Sequence, residues 1–357
     1  MSRLTRKITG SDLILFNVTF DMAILVCGAT GFIGSHFCVL ALQQGLDLLL
    51  LDNLENSSPK VLNAIREVTG ISPRFVEVDI RDKSSLDAVF ATNQVDSVVH
   101  FAGYKAVGES AAEPLRYYRN NVDGSLNLLE SMKEHGVRKL VFSSSATVYG
   151  VPEFNPYTEE HRKRPFNPYG QTKSVVEDMM YDLCASDPQY ALVALRYFNP
   201  IGAHPSGMLG EDPKGIPNNL MPFITKVAVG QLAELGVFGD DYDTVDGTGV
   251  RDYIHVMDLA YGHIRALQYL NSNAGYQAIN LGAGRGYSVL ELVSAFERIN
   301  GVSIPYVIKP RRDGDLAAYW ADASKAERLL GWKTQLGIDE MVRDAWAWQS
   351  ANPNGYN

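Results

Sequence analysis

The sequence predicts an α/β protein, a doubly wound parallel sheet followed by a smaller C-terminal α/β lobe. Three observations predict it. From Met22 onward, short β-rich runs alternate with helical patterns, the arrangement of a parallel sheet with helices on both faces. A glycine-rich turn, Gly28-Ala29-Thr30-Gly31-Phe32-Ile33-Gly34, follows the first of those runs and opens a helix, which makes the sheet Rossmann-like. After about Asn199 the alternation loosens into loops rich in glycine and proline.

Taken in order, the runs 23–27, 48–51, 74–77, 97–101, 139–143 and 191–197 are expected strands, each a short apolar or β-branched stretch. Between them, 33–44, 59–69, 84–91, 116–135 and 169–185 carry helical periodicity, and 219–229, 258–269, 288–299 and 339–348 do so in the second half. The expected domains are 22–199 for the sheet and 200–357 mainly for the second lobe, with some segments returning to the first. Residues 1–21 hold basic residues and a short apolar patch at Leu13 to Phe16, without an adequate hydrophobic core or cleavage site for a signal peptide. They are expected to be an extension outside the fold.

Composition excludes several classes of function. A net charge of -9 and the lack of a Lys/Arg-rich run argue against a nucleic-acid partner. No apolar run approaches the ~18 residues of a membrane span, so no membrane association is expected. Cys27, Cys38 and Cys184 are an odd, sparse set that fits a reducing cytoplasm, and Cys27 reads as a small buried filler. The seven scattered histidines offer no ligand spacing, so no metal site is expected.

The glycine turn lets backbone approach a pyrophosphate, whose charge then faces a helix N-terminus. Asp52, closing the second strand at the expected distance, can accept hydrogen bonds from an adenine ribose diol and would repel a 2′-phosphate. With Asn53 beside it rather than arginine, NAD is favoured over NADP. Asp79 and Ile80 after the third strand are placed to cover the adenine, although Asp79 could equally be a helix cap. Phe101, Ala102, Gly103 and Lys105, after the fourth strand, would line the path to the nicotinamide ribose. His100 among them reads as a core histidine.

Asn167-Pro168-Tyr169-Gly170-Gln171-Thr172-Lys173 sets a phenol four residues ahead of an ammonium, on one helix face. A free tyrosine with a pKa of about 10 is only ~0.1% phenolate at pH 7, and a nearby cation raises that fraction. Tyr169 therefore reads as a general base tuned by Lys173. Ser145, at the carboxyl end of the fifth strand, would face the same cleft, whereas Ser143 and Ser144 read as loop-capping hydroxyls.

Strand-end serine plus Y-x-x-x-K resembles the active-site set of the extended short-chain dehydrogenase/reductases. The resemblance narrows through Phe142 to Gly150, Leu195 to Pro200, Gly215 to Pro222, Gly249 to Val256 and Pro310 to Asp315, all of which look like the UDP-glucose 4-epimerase family, over nearly the whole chain from Met22. The resemblance implies a homodimeric enzyme holding NAD and interconverting UDP-galactose and UDP-glucose through a transient 4-keto sugar. By the same resemblance Asn120 and Phe198 join the cofactor site. Asn199, Asn219, Leu220, Arg251, Arg312 and Asp315 join Ser145 and Tyr169 around the sugar nucleotide, and Lys173 also contacts the nicotinamide ribose. Read without it, Arg251 could be no more than an ion pair with Asp252, and Asn218-Asn219 no more than a helix cap. Tyr319, where a bulky residue accompanies a tight pocket at the sugar's C2 substituent, argues for UDP-galactose and UDP-glucose over their N-acetylated counterparts, the alternative substrates. Cys27 and Ala29-Thr30 depart from the family's usual wording but leave the three glycines intact.

Two rival readings fare worse. A sugar-nucleotide 4,6-dehydratase uses an Asp-Glu pair just after the strand-end hydroxyl, where this chain has Ala146 and Thr147. A catalytically silent NAD sensor or scaffold needs the glycine turn but no tuned phenol.

Overall fold

The computed structural model describes residues 22–356 except 216, 218 and 313; the expected extension at 1–21 and Asn218 lie outside the described residues. Six parallel strands appear where expected: β1 (Ala23–Cys27), β2 (Leu48–Asp52), β3 (Arg74–Glu77), β4 (Val95–His100), β5 (Lys139–Ser143) and β6 (Ala191–Tyr197). A seventh, Gly275–Leu281, was not expected from the sequence and pairs in parallel with β6 at the sheet edge. Its composition, broken by Gly275 and Gln277, hides the pattern because an edge strand is less fully enclosed. From that edge the order runs through β6, β5, β4, β1 and β2 to β3, so the direction of winding reverses between β1 and β4. Doubly wound sheets bind ligands at that switch point.

Strand alternation distributes the core. Ile24 and Val26 of β1, with Leu48 and Leu50 of β2, face one layer that also holds Phe37, Ala41, Leu259 and Ile264. Ala23, Leu25 and Cys27, with Leu49 and Leu51, face the opposite layer against Leu86, Leu128, Met132, Val176 and Met180. Successive side chains of a strand point to opposite faces, so both layers demand apolar residues and the strands read as continuous apolar runs.

Helix Val256–Leu270 packs on the first of these layers through Leu259, Ala260 and Ile264, so residues 256–281 return from the second lobe to the main sheet. A separate core around Ile224, Val237, Leu292, Phe296 and Val342 builds that lobe.

The single helix expected at 116–135 is replaced by three pieces. Pro114–Tyr117 and Gly124–Glu134 are α-helical, and Tyr118–Asp123 between them is a π-helical turn. Helical periodicity cannot register one inserted residue, yet such insertions re-aim side chains and recur beside functional sites. Here the turn buries Asn120 and Asn121.

Candidate functional site

The glycine turn is built by close contact. Gly28 has φ +80°, and a Cβ there would lie 2.5 Å from the backbone nitrogen of Ala102. Only glycine lets the ends of β1 and β4 meet at this angle. The helix that follows, Phe32–Gln43, has no side-chain cap and no acid in its first turn, leaving its positive end available to an anion. Asp52 is held in place by the N–H groups of Thr30 at 3.1 Å and Leu54 at 2.9 Å.

These residues share one pocket. Its wall includes Gly28, Gly31, Phe32, Ile33, Gly34, Asp52, Asn53, Asp79, Ile80, Phe101, Ala102, Gly103, Lys105, Asn120, Tyr169 and Lys173. Carboxylates gather at one end, an uncapped helix opens its middle, and a phenol and an ammonium close the other. That donor set fits a dinucleotide with unphosphorylated ribose, running from Asp52 to Lys173. Asp79 is no helix cap: it accepts from Asn53 Nδ2 at 2.9 Å, while Asp82 caps the following helix through Ser85 N. Arg81 beside it, outweighing its partial burial, holds the Asp79 carboxyl down at about 2. Phe198 lies off this wall, packed between Tyr157 and Tyr319 in an aromatic cluster.

Helix Pro168–Ser186 carries Tyr169 and Lys173. Asn167 caps it by accepting from Gly170 N at 2.8 Å, and Pro168 takes the first helical position, both favoured choices for a helix start. A Cβ at Gly170 would lie 2.7 Å from Thr147 O, so this glycine brings the helix onto the turn that carries Ser145. Tyr169 is 7% exposed and Lys173 4%. Lys173 Nζ donates to Ser143 O at 2.8 Å and lies 4.7 Å from the Phe142 ring centre.

Their electrostatics differ from the expectation. Burial, with Tyr197 nearby, pushes the Tyr169 phenol up, and only the Ser145 hydroxyl opposes it. Burial also brings the Lys173 ammonium down to about 7, with Glu177 opposing. Removal from water disfavours both charged forms, and Ser145 for the phenol and Glu177 for the ammonium oppose it without reversing it. His100 is a core histidine: its Nε2 lies 2.9 Å from Ser125 Oγ, and burial takes it down to about 3. The Cys27 thiol, fully buried, is pushed up.

The reading of Ser143 and Ser144 as loop caps is corrected. Ser143 Oγ donates to Tyr197 Oη at 3.1 Å and Ser144 Oγ to Glu177 Oε1 at 2.6 Å. Both hydroxyls reach across to neighbouring elements, which the chain brings close only by folding. Ser145 caps the short helical turn Ala146–Val148, accepting from Thr147 N at 3.2 Å, and lies outside the wall of the first pocket.

A second pocket, in the C-terminal lobe, gathers Asn199, Asn219, Leu220, Arg251, Arg312 and Asp315. Arg251 does not pair with Asp252, as a purely structural reading would have it. It pairs with Asp315 and lies 4.6 Å over the Tyr319 ring. Asp252 instead accepts from the N–H groups of Ala283, Gly284 and Ala321 at 2.8–3.2 Å, and burial pushes its carboxyl up to about 7 against those bonds. Nor is Asn219 a side-chain cap: its Nδ2 donates to Glu211 Oε1 at 3.1 Å. Arg312 lies 3.9 Å over the ring of Phe238, another residue of this wall.

Three site residues escape a reading of the sequence. Asn121, set inward by the π-turn, accepts from Tyr104 N and Asn120 Nδ2 and donates to Tyr104 O and Thr172 Oγ1, at 2.8–3.0 Å. It clamps the end of β4 to the Tyr169 helix. Glu211 takes Lys105 Nζ at 2.8 Å on the same oxygen that takes Asn219, linking the two pockets. Phe238 offers the second pocket an aromatic face. Asn121 alone had a local signal, the Asn-Asn pair inside a helical pattern.

Comparison with known proteins bears on this geometry. The family model for GDP-mannose 4,6 dehydratase matches residues 25–345. The UDP-glucose 4-epimerase of Bacillus subtilis (strain 168) is 56% identical over 335 residues, 94% of this chain and 99% of that protein. The crystal structure of UDP-glucose 4-epimerase from Bifidobacterium longum in complex with NAD+ and UDP superposes with a TM-score of 0.90 at 53% identity, covering 93% of this chain and 99% of that one. The enzyme from Stenotrophomonas maltophila, with bound NAD and formylated UDP-arabinopyranose, gives a TM-score of 0.91 at 50% identity, covering 93% and 99%.

Proposed function

This chain belongs to the UDP-glucose 4-epimerase family of extended short-chain dehydrogenase/reductases, and from that premise we propose how its residues carry out the reaction. The protein interconverts UDP-galactose and UDP-glucose and uses NAD. The dehydratase name of the broader family model does not extend to the chemistry, because Ala146 and Thr147 offer no acid and base for elimination. The observation that carries the assignment of roles is the burial of Tyr169 and Lys173 on one helix face at the end of the dinucleotide pocket, with Lys173 anchored on Ser143 O.

Tyr169 removes the proton of the sugar's 4-hydroxyl, and Ser145 beside it relays or hydrogen-bonds that proton. When bound, NAD+ would supply a positive charge near the phenol and a reversible acceptor for the C4 hydrogen and its bonding electrons, the chemistry that a planar 4-keto sugar reduced on either face requires. Lys173 holds the nicotinamide ribose and adds its own charge beside the phenol. Because burial pushes Tyr169 up, both positive charges are needed to make it a base at neutral pH. Lys105 and Asn120 hold the cofactor beside the nicotinamide ribose, and Phe198, from its place against Tyr319, supports the same end.

The C-terminal lobe, mainly residues 200–357, holds the sugar nucleotide. Arg251 and Arg312 bind the diphosphate through charge-assisted hydrogen bonds. Asp315 accepts from the uridine ribose while steadying Arg251. Asn199, Asn219 and Leu220 border the sugar, and Tyr319, stacked beneath Arg251, limits the space at C2 to a hydroxyl. The protein works in the cytoplasm as a homodimer; three unpaired cysteines and the exposed Leu115 and Tyr181 support that reading, and sedimentation tests the dimer.

The test is direct. Purified protein is expected to carry NAD and to convert UDP-galactose to UDP-glucose without added reductant. Tyr169→Phe is expected to lose turnover by about 10²–10⁴-fold, the usual share of a general base, while retaining NAD. Full activity in that variant would overturn the mechanism.

A further inference from the structure

One turn beyond Lys173, the same helix buries a carboxylate that the reaction does not consume. Glu177 is 0% exposed. Arg196 of β6 grips it through Nε at 3.0 Å and Nη2 at 2.6 Å, Tyr276 of the edge strand donates at 3.2 Å, and Lys163, from the loop before the helix, stands 3.7 Å away. Arg196 also donates to Tyr149 Oη at 3.1 Å, and that hydroxyl donates to Asn280 at 2.6 Å. Burial would push the Glu177 carboxyl up, yet Arg196, helped by Ser144 and Lys163, holds it below the ordinary carboxylate value. It is a fixed negative charge.

Its last partner is the telling one. Ser144 Oγ donates to Glu177 Oε1 at 2.6 Å, and Ser144 lies between the two residues of β5's end that serve the reactive pair. Ser143 supplies the carbonyl that anchors Lys173; Ser145 supplies the hydroxyl that faces Tyr169. Tyr169, Lys173 and Glu177 recur every four residues and share a helix face. Three consecutive serines therefore meet three consecutive turns of one helix. An ion pair in the interior is weak evidence for stability and is better read as a device that fixes geometry.

We propose that Glu177 is a positioning residue for the epimerase reaction: through Ser144 it fixes the end of β5 against the helix, setting at once the carbonyl that orients Lys173 and the hydroxyl that serves Tyr169. The inference rests on the functional reading above. Glu177's charge also faces Lys173, whose surroundings otherwise hold Tyr169 on its own helix and His100 on β4, so it favours the ammonium.

Ser144→Ala tests this without unpairing Arg196. A buried hydrogen bond contributes about 1 kcal/mol, roughly fivefold at the transition state. The expected result is a kcat lower by about fivefold, with the KM for UDP-galactose and the NAD content within about twofold of the parent. Glu177→Gln keeps an acceptor for Ser144 but removes the charge; the alkaline limb of its kcat profile is expected at lower pH, because Lys173 loses its proton sooner. A kcat in Ser144→Ala within about twofold of the parent, or loss of activity tracking only loss of melting temperature, overturns the proposal. The parent enzyme is the reference for both, so an inactive parent sinks the functional reading and this inference together. An active parent with an unaffected Ser144→Ala sinks this inference alone.

Discussion

At the scale of single residues, burial decides the chemistry of the site. Lys173 has an ordinary pKa of 10.5 and is brought down to about 7 in the fold. Between those values the unfolded chain holds a proton that the cofactor-free folded chain lacks, so stability rises with pH across that window. Lys173→Met is expected to remove that rise, as the difference between the two proteins' urea midpoints at pH 7 and pH 10 will show. Tyr319 sets a second expectation. Replacing it by serine opens the space beneath Arg251 and should raise the rate with UDP-N-acetylgalactosamine relative to UDP-galactose; an unchanged ratio would remove Tyr319 from the specificity argument.

At the scale of elements, the active site is assembled from the ends of strands and one capped helix. Asn167 secures the start of that helix, and Asn167→Ala is expected to cost about 1 kcal/mol of stability, seen as a lower melting temperature, and to reduce turnover because Tyr169 sits in the first turn. The glycine turn is less forgiving. In Gly28→Ala the added carbon would lie 2.5 Å from Ala102 N at a positive φ, so the purified variant should contain little or no NAD by absorbance of the released cofactor.

At the scale of the molecule, the core of the parallel sheet borders the first pocket and the separate core around Ile224, Leu292 and Phe296 borders the second. Glu211 joins them, binding Lys105 from the sheet side and Asn219 from the other; Lys214 adds bonds to Leu54 O and Glu55 O at 2.9 Å. Glu211→Ala is expected to raise both the KM for UDP-galactose and the rate of NAD loss on dialysis. A change in only one of them would show that Glu211 serves one pocket rather than both.

The sequence by itself determined six of the seven strands of the main sheet, the helices between them apart from the break at 118–123, the glycine turn, Asp52, and the Tyr169-Lys173 pair. Each of these is a local pattern, set by periodicity or by spacing within a few residues, and local patterns survive in one dimension. It did not contain the edge strand Gly275–Leu281, which owes its place to pairing with β6. Nor did it show the π-turn that re-aims Asn121, or the change of partner by which Arg251 leaves neighbouring Asp252 for Asp315. The tertiary structure also decided that the Ser143 carbonyl and the Ser144 hydroxyl bond to Lys173 and Glu177 of the Tyr169 helix and that Tyr169 is harder to ionise than its spacing from Lys173 suggests. Those outcomes depend on what surrounds a group in three dimensions and on how much water is removed from it. Spacing along the chain fixes neither.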